Sequence, residues 1–174
     1  MSIIIADAKP EDVEGATKVF RAAWLDTYPN EEFGVTREDI EYFYRDSLTP
    51  DTLEKRREQV RKLSANEKYF VAKDGDMIVG VCRLIKHADK NELKSVYILS
   101  EYRGQGIGSM FWNEALKFFD PKKDISVIVA VYNDKAVSFY KKLGFVDSGE
   151  RISDEKWRMK SGAIIPDLEM IFKR

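Results

Sequence analysis

Apolar positions along the chain recur at two different intervals, and the switches between them divide it into strands and helices before any motif is considered. Residues 2 to 6, with the run Ile3-Ile4-Ile5-Ala6, predict a short strand. Pro10 then suits the first turn of a helix whose apolar face is Val13, Ala16, Phe20, Ala23 and Trp24. Thr36 with Asp39 makes a capping-box pattern ahead of Ile40, Phe43 and Tyr44, and Thr49-Pro50 opens a helix to about Leu63 with a thin stripe of Leu53, Val60 and Leu63. So thin a stripe among charges describes a surface helix.

The pattern next turns β-rich. Residues 68 to 73 and 77 to 86 flank Asp74-Gly75, a dipeptide suited to a tight hairpin, and a strand over 91 to 98 follows. A helix from about Gly104 to Phe119 carries Ile107, Phe111, Ala115 and Phe118 on one face. Ile125 to Tyr132 is almost unbroken β-branched and apolar sequence, the signature of a central strand covered on both faces. Asn133 opens a last helix that Gly144 closes, and strands near 145 to 156 and 164 to 173 complete a mixed sheet. The fold class is α/β with a mixed sheet. Without repeats, low-complexity tracts or linkers, residues 1–174 read as a single domain.

Composition narrows the function. The 174 residues are 44% hydrophobic and 34% charged with a formal net charge of −1, which gives a core, a solvated surface and no basic excess for nucleic acid. The apolar run at the start is too short for a signal peptide or a spanning helix, so the expectation is a cytoplasmic protein without a membrane partner. One cysteine, Cys82, and one histidine, His87, exclude an internal disulfide and fall short of a Cys/His metal site, so no metal is expected. Cys82 reads as buried packing, and His87 as a surface residue at a strand end. The basic run Lys55-Arg56-Arg57 with Arg61-Lys62, interleaved with Glu54 and Glu58, reads as a solvated helix face.

Chemistry concentrates in Arg103-Gly104-Gln105-Gly106-Ile107-Gly108, where a strand ends and a helix begins. Glycines let successive backbone N–H groups turn inward, and the helix N-terminus adds partial positive charge, so the segment can cradle a phosphate or pyrophosphate. Ser109 adds a hydroxyl and Arg103 a charge at the rim. Taken alone, such a turn serves structure as readily as chemistry. It is neither a P-loop nor a dinucleotide fingerprint, because no Gly-Lys-Ser/Thr string follows and the third glycine is missing in either frame.

With its surroundings, the segment resembles motif A of the GCN5-related N-acetyltransferase superfamily, read here as Arg103-x-x-Gly106-x-Gly108 after Leu93-Lys94-Ser95-Val96-Tyr97-Ile98-Leu99-Ser100-Glu101-Tyr102. Ser100 stands where many members have proline. A second block, Asn133 through Phe139-Tyr140 to Leu143-Gly144-Phe145, is similar to the family's motif B, and the order of elements also agrees. Residues 24 to 66 match least.

The resemblance implies acetyl-CoA as cosubstrate and direct attack by a primary amine of a polyamine, small molecule or peptide in a ternary complex. It places the pyrophosphate on the amides of Gln105, Gly106, Gly108 and Ser109 within the Arg103–Ser109 loop, including Gly104 and Ile107, with Asn133 opening the next helix. Pantetheine would pair with the backbone of Ile98 to Ser100, and an N–H of Ile98 or Leu99 would meet the oxyanion. Tyr140 takes the place of the general acid, and Glu92, eleven residues before Arg103, that of the base, a role other branches give to a water chain. From Trp24 to Asp46, seven acids face two arginines, and six aromatics share the stretch. If this stretch lines the acceptor cleft, it favours a cationic amine; the ordinary behaviour of amphipathic helices, solvated outside and packed inside, accounts for it more readily. The competing readings are a non-catalytic acyl-CoA-binding module and transfer of a longer acyl group. The edges of the last strands are a candidate homodimer surface.

Overall fold

The computed structural model describes residues 2–174. Among them, strands β1 (Ile3–Asp7), β2 (Glu67–Asp74), β3 (Met77–Lys86), β4 (Asn91–Ile98), β5 (Ile125–Ala130), β6 (Val146–Ile152) and β7 (Asp167–Phe172) form one sheet in the order β1-β2-β3-β4-β5-β7-β6. Helices α1 (Val13–Thr27), α2 (Arg37–Phe43) and α3 (Pro50–Arg61) cover one face, and α4 (Ile107–Phe118) and α5 (Asp134–Leu143) the other. The mixed α/β class is as expected. β5 lies inside the sheet, its Ile125, Val127 and Val129 buried on the α4 side and Ala130 on the opposite one.

Local chemistry sets most boundaries. Thr36 accepts from the Asp39 N–H at 3.1 Å while Asp39 accepts from the Thr36 N–H at 2.9 Å, a reciprocal cap for α2. Thr49 caps α3 with Pro50 in its first turn, and Asn133 caps α5 through the Ala136 N–H at 3.2 Å. Gly144 ends α5 with φ of +101°, as its place after Leu143 predicts. Three details differ from expectation. The helix expected from about Gly104 begins at Ile107, because Gly104 and Gly106 take positive φ. Pro10 to Asp12 form a 3₁₀ turn that precedes α1, and in the hairpin only Gly75 takes a positive φ, Asp74 remaining a strand residue paired with Met77.

The parallel ladder between β4 and β5 is short. It runs through Asn91–Ile125, Glu92–Ser126 and Leu93–Val127 and stops. The register of β4 against β3 shifts at the same place, from Leu84–Leu93 to Arg83–Ser95, so Lys94 is an extra residue that bends β4 away from β5. Beyond it the two strands diverge, and the sheet opens between them.

The closed end of that opening is pinned by Asn91, which is fully buried. Its Nδ2 donates to the carbonyls of Asp120 (2.9 Å) and Lys123 (3.0 Å), and its Oδ1 accepts from the Asp120 N–H at 3.2 Å. The turn from α4 into β5 is thereby tied to β4. Asn91→Ala strands these buried groups, and the expected loss is about 2–4 kcal/mol of unfolding free energy in urea denaturation.

Candidate active site

The open part of β4 carries unspent main-chain groups. Leu99 N–H donates to the Val79 carbonyl at 3.0 Å, so Leu99 and Tyr97 fall on the hydrogen-bonded pairs of the β3–β4 ladder. Ile98, opposite Gly80, therefore falls on a non-bonded pair, and its N–H points across the opening, where β5 no longer follows. Of the two oxyanion donors expected, Leu99 is spent in the ladder and Ile98 is the one available.

At the end of β4, residues 100–102 form a 3₁₀ turn, and the glycine loop follows. Gly104 and Gly106 have φ of +78° and +83°, a conformation that L side chains resist, and open space surrounds both. Gly106 caps α4 without a side-chain partner, so the first amides of a twelve-residue helix, from Ile107 to Ser109, keep free N–H groups. Gly108 is required for a different reason: a Cβ there would lie 2.9 Å from the Phe139 ring of α5. Among the residues expected in this cradle, Gln105 lies exposed on the loop with its amide donating to the Glu101 carbonyl at 3.0 Å, Ser100 Oγ bonds Glu101 at 3.1 Å, and Ile107 is buried in the core beneath. Arg103 does not stand free at the rim. It pairs with Asp26 of α1 at 2.6 Å and donates from Nε to the Ile98 carbonyl at 3.1 Å, which ties α1 to the mouth of the opening.

Tyr140 stands on the α5 side of the same opening. It is 5% exposed, packs on Phe139 and Phe145, and has no hydrogen-bond partner for its hydroxyl among the described residues. Burial, with Cys82 and Tyr97 close by, pushes the phenol well above its ordinary pKa, so it holds its proton at neutral pH. Cys82 is fully buried packing, as expected.

On the opposite face, β4, β5 and β7 form the floor of a cleft of about 760 Å³ under α1 and α3. Trp24 stacks on Phe43 at 5.1 Å with Trp157 beside both, and Tyr28 bonds Tyr97 between hydroxyls at 2.7 Å. The aromatic half of the expected lining is present through Trp24, Tyr28, Phe43 and Tyr44, but the acidic half is absent. Asp26 holds Arg103, Glu41 and Asp46 pair with Arg37 and Arg45, and Asp39 caps α2 and bonds Ser161, so those acids serve structure. The charged side chains that do line the cleft are Glu92, Asp154 and Asp167 against Lys55, Arg56, Arg83, Lys94 and Lys156. The expected solvated face of α3 is likewise divided: Arg57, Arg61 and Lys62 pair outward with Glu54 and Glu58, while Lys55 and Arg56 turn to the cleft.

Glu92 reaches this cleft, but it is engaged. His87 Nε2 lies 2.7 Å from one oxygen and Lys94 Nζ 3.2 Å from the other, so His87 has a partner after all. Burial alone would raise the carboxyl, yet these two groups hold it below its usual pKa. Asp167, absent from the sequence reading, is the opposite case. It opens β7 against Ala130, beside the Tyr28–Tyr97 pair, and burial pushes its carboxyl up to about 6. Alternation with buried Leu168 was the available signal, but it does not tell which face holds the cleft.

A mixed sheet that opens between parallel strands, with a glycine cradle below and a buried phenol beside the gap, defines an acyltransferase of the GNAT class. The model of the acetyltransferase (GNAT) domain matches residues 26–160, and the chain belongs to this family. It is 30% identical over 165 residues, 90% of its length and 99% of the relative's, to a spermidine N(1)-acetyltransferase of Thermoplasma acidophilum. The crystal structure of the PaiA N-acetyltransferase of T. acidophilum in complex with coenzyme A superposes with a TM-score of 0.77 at 26% identity, covering 100% of both chains. The ribosomal-protein-S18-alanine N-acetyltransferase of Escherichia coli shares the fold at 14% identity, with a TM-score of 0.63 over 98% of this chain and 93% of the other. Among the described residues, no helix is long and apolar enough to cross a membrane.

The raised pKa of Asp167 has a consequence for stability. Between the ordinary aspartate value of 3.8 and about 6 the unfolded chain ionises first, so Asp167 makes stability fall as pH rises through that window, with no further change above it. Asp167→Asn removes the slope: the stability of the parent relative to the variant, measured in urea, declines from pH 4 to pH 6 and is flat above.

Proposed function

We propose that the chain transfers the acetyl group of acetyl-CoA to a primary amine, by direct attack within a ternary complex. The observation that carries this reading is the free Ile98 N–H facing the opening between β4 and β5, with the glycine cradle at one end and the unpartnered Tyr140 hydroxyl beside it. The fit is supported by the positive-φ glycines and by Gly108, where any larger residue would displace Phe139. The amides of Gly106 to Ser109 would hold the pyrophosphate, the Ile98 backbone would pair with pantetheine, and Asn133 would stand at the start of α5 on the same face.

Acetyl-CoA brings an acyl group already activated as a thioester, so the protein's share is orientation and charge stabilisation. The amine nitrogen, entering from the aromatic cleft, bonds to the carbonyl carbon as the C–S bond breaks. Ile98 N–H donates to the carbonyl oxygen while negative charge develops there. Tyr140 gives its proton to the departing sulfur, and the proton that the nitrogen sheds on becoming an amide restores the phenol. An alkylamine is mostly protonated at neutral pH and must lose a proton before attack. Asp167, ionised above about pH 6 and without a counter-ion among the described residues, suits that task better than Glu92, whose oxygens are held by His87 and Lys94.

Release of CoA from acetyl-CoA, followed with a thiol reagent over a panel of polyamines, amino acids and lysine-bearing peptides, tests the reading. Acceptor-dependent release supports it, and CoA binding without release for any amine sinks it in favour of a binding module. Tyr140→Phe is expected to lower kcat by about 10²–10⁴ while leaving CoA affinity within a few-fold. Asp167→Asn is expected to remove a limb of the kcat/KM profile that rises with an apparent pKa near 6, while Glu92→Gln keeps that limb. Retention of the limb in Asp167→Asn would return the base role to Glu92 or to water.

A further inference from the structure

At the end of the cleft remote from Ile98, donors gather with no carboxylate paired to them among the described residues. Tyr69 of β2, Arg83 of β3 and Ser95 of β4 are directly opposite one another across the two antiparallel ladders, so they form a transverse row on the cleft floor. Arg56 of α3 closes over this row, its Nη1 anchored on the Thr17 hydroxyl of α1 at 2.8 Å, and Thr17 is itself buried and bonded to the Val13 carbonyl. The Arg83 guanidinium lies 5.7 Å from the centre of the Tyr69 ring. Both guanidinium groups act on the Tyr69 phenol, which burial nevertheless pushes up to about 12, leaving it a donor at neutral pH.

Two features separate this cluster from an ordinary surface arrangement. Arg37, Arg45, Arg57, Arg61, Arg103, Arg151 and Arg158 each hold a carboxylate, whereas Arg21, Arg56, Arg83 and Arg174 hold none among the described residues, and of these only Arg56 and Arg83 line the cleft. Ser95 Oγ is buried and has no hydrogen-bond partner among the described residues. Two cations and two hydroxyls that line one end of the cleft with no carboxylate paired to them among the described residues are a receptor for an oxyanion, and a guanidinium pair suits a carboxylate or a phosphate.

We propose that the acceptor is an amine that carries a carboxylate or phosphate group, seated on Arg56, Arg83, Tyr69 and Ser95 while its nitrogen reaches the opening at Ile98. The inference rests on the acceptor role given above to this cleft. It also sets a length. Ser95 precedes Ile98 by three residues of strand, so the anion and the reacting nitrogen are separated by about 10 Å. An α-amino group beside its own carboxylate is too short, and a chain of about five methylenes spans the interval. A polyamine such as the spermidine that names the T. acidophilum relative would set a cation against Arg56 and Arg83, where like charges repel.

Three amines of matched length decide the matter: 6-aminohexanoate, hexylamine and 1,6-diaminohexane, with 6-aminohexylphosphate to separate carboxylate from phosphate. The expected result is a kcat/KM for one of the two anionic amines at least about tenfold above that of hexylamine, with the diamine the poorest. Arg83→Met and Arg56→Met each bring that ratio towards one, and Arg83→Lys retains part of it. The ratio is insensitive to a loss of folded protein, which lowers all rates alike. Equal or better use of the diamine, or a preference that survives both methionine variants, overturns the proposal. If none of the amines releases CoA, a titration read by the fluorescence of Trp24 and Trp157 distinguishes the two ideas. Saturation by an anionic amine in the parent but not in Arg83→Met leaves the oxyanion site standing while acetyl transfer to these amines fails; a flat titration rejects the site itself.

Discussion

Two parallel strands that pair for three residues and then diverge leave one another's main-chain groups facing an opening, and the rest of this protein is arranged around that separation. A sheet interior normally satisfies every N–H and C=O along its ladders, and an unpaired group buried there costs about as much as a lost hydrogen bond. Here the interruption is built in. Lys94 adds a residue to β4 against β3 just after the last rung with β5, and Asn91 locks the closed end with three hydrogen bonds to the turn before β5. Bending and pinning together turn a gap in a sheet into a rigid slot.

What surrounds the slot differs on its two faces. On the α4 and α5 side, the free N-terminus of α4 and the glycines before it present positive potential, while Tyr140 sits in apolar packing that keeps its proton in place. On the α1 and α3 side lies a cleft with aromatic walls, one carboxylate raised towards neutrality and a set of unpaired guanidinium groups. An anionic acyl carrier entering from one face and an amine from the other would meet only where β4 and β5 part. Arg103, joined to Asp26 and to the Ile98 carbonyl, couples the two faces, since α1 forms a wall of the amine cleft and Ile98 belongs to the slot.

Much of this was legible in the residues because local chemistry dictates it. The caps at Thr36, Thr49 and Asn133, the left-handed turn at Gly144 and the glycine loop at 104–106 depend on their own few residues, and each stands where the pattern placed it. Charge in the cleft was not legible, because it depends on which neighbour a side chain meets. Four of the seven acids between Trp24 and Asp46 neutralise arginines or cap a helix, none of the seven lines the cleft, and Arg56, one of a run that read as solvated, turns inward to Thr17. Asp167 escaped for a related reason. Its neighbours Leu168 and Met170 mark a strand, but the insertion of β7 between β5 and β6 is what carries Asp167 to the cleft floor.

The slot is the central claim, and a backbone amide NMR titration with acetyl-CoA tests it most directly. The account predicts that the amides of Ile98, Gly106, Gly108 and Ser109 move first and furthest, while amides of the oxyanion row at Tyr69 and Arg83 stay in place until an acceptor is added. Shifts confined to the aromatic cleft, with Ile98 and the glycine loop unmoved at saturation, would contradict it.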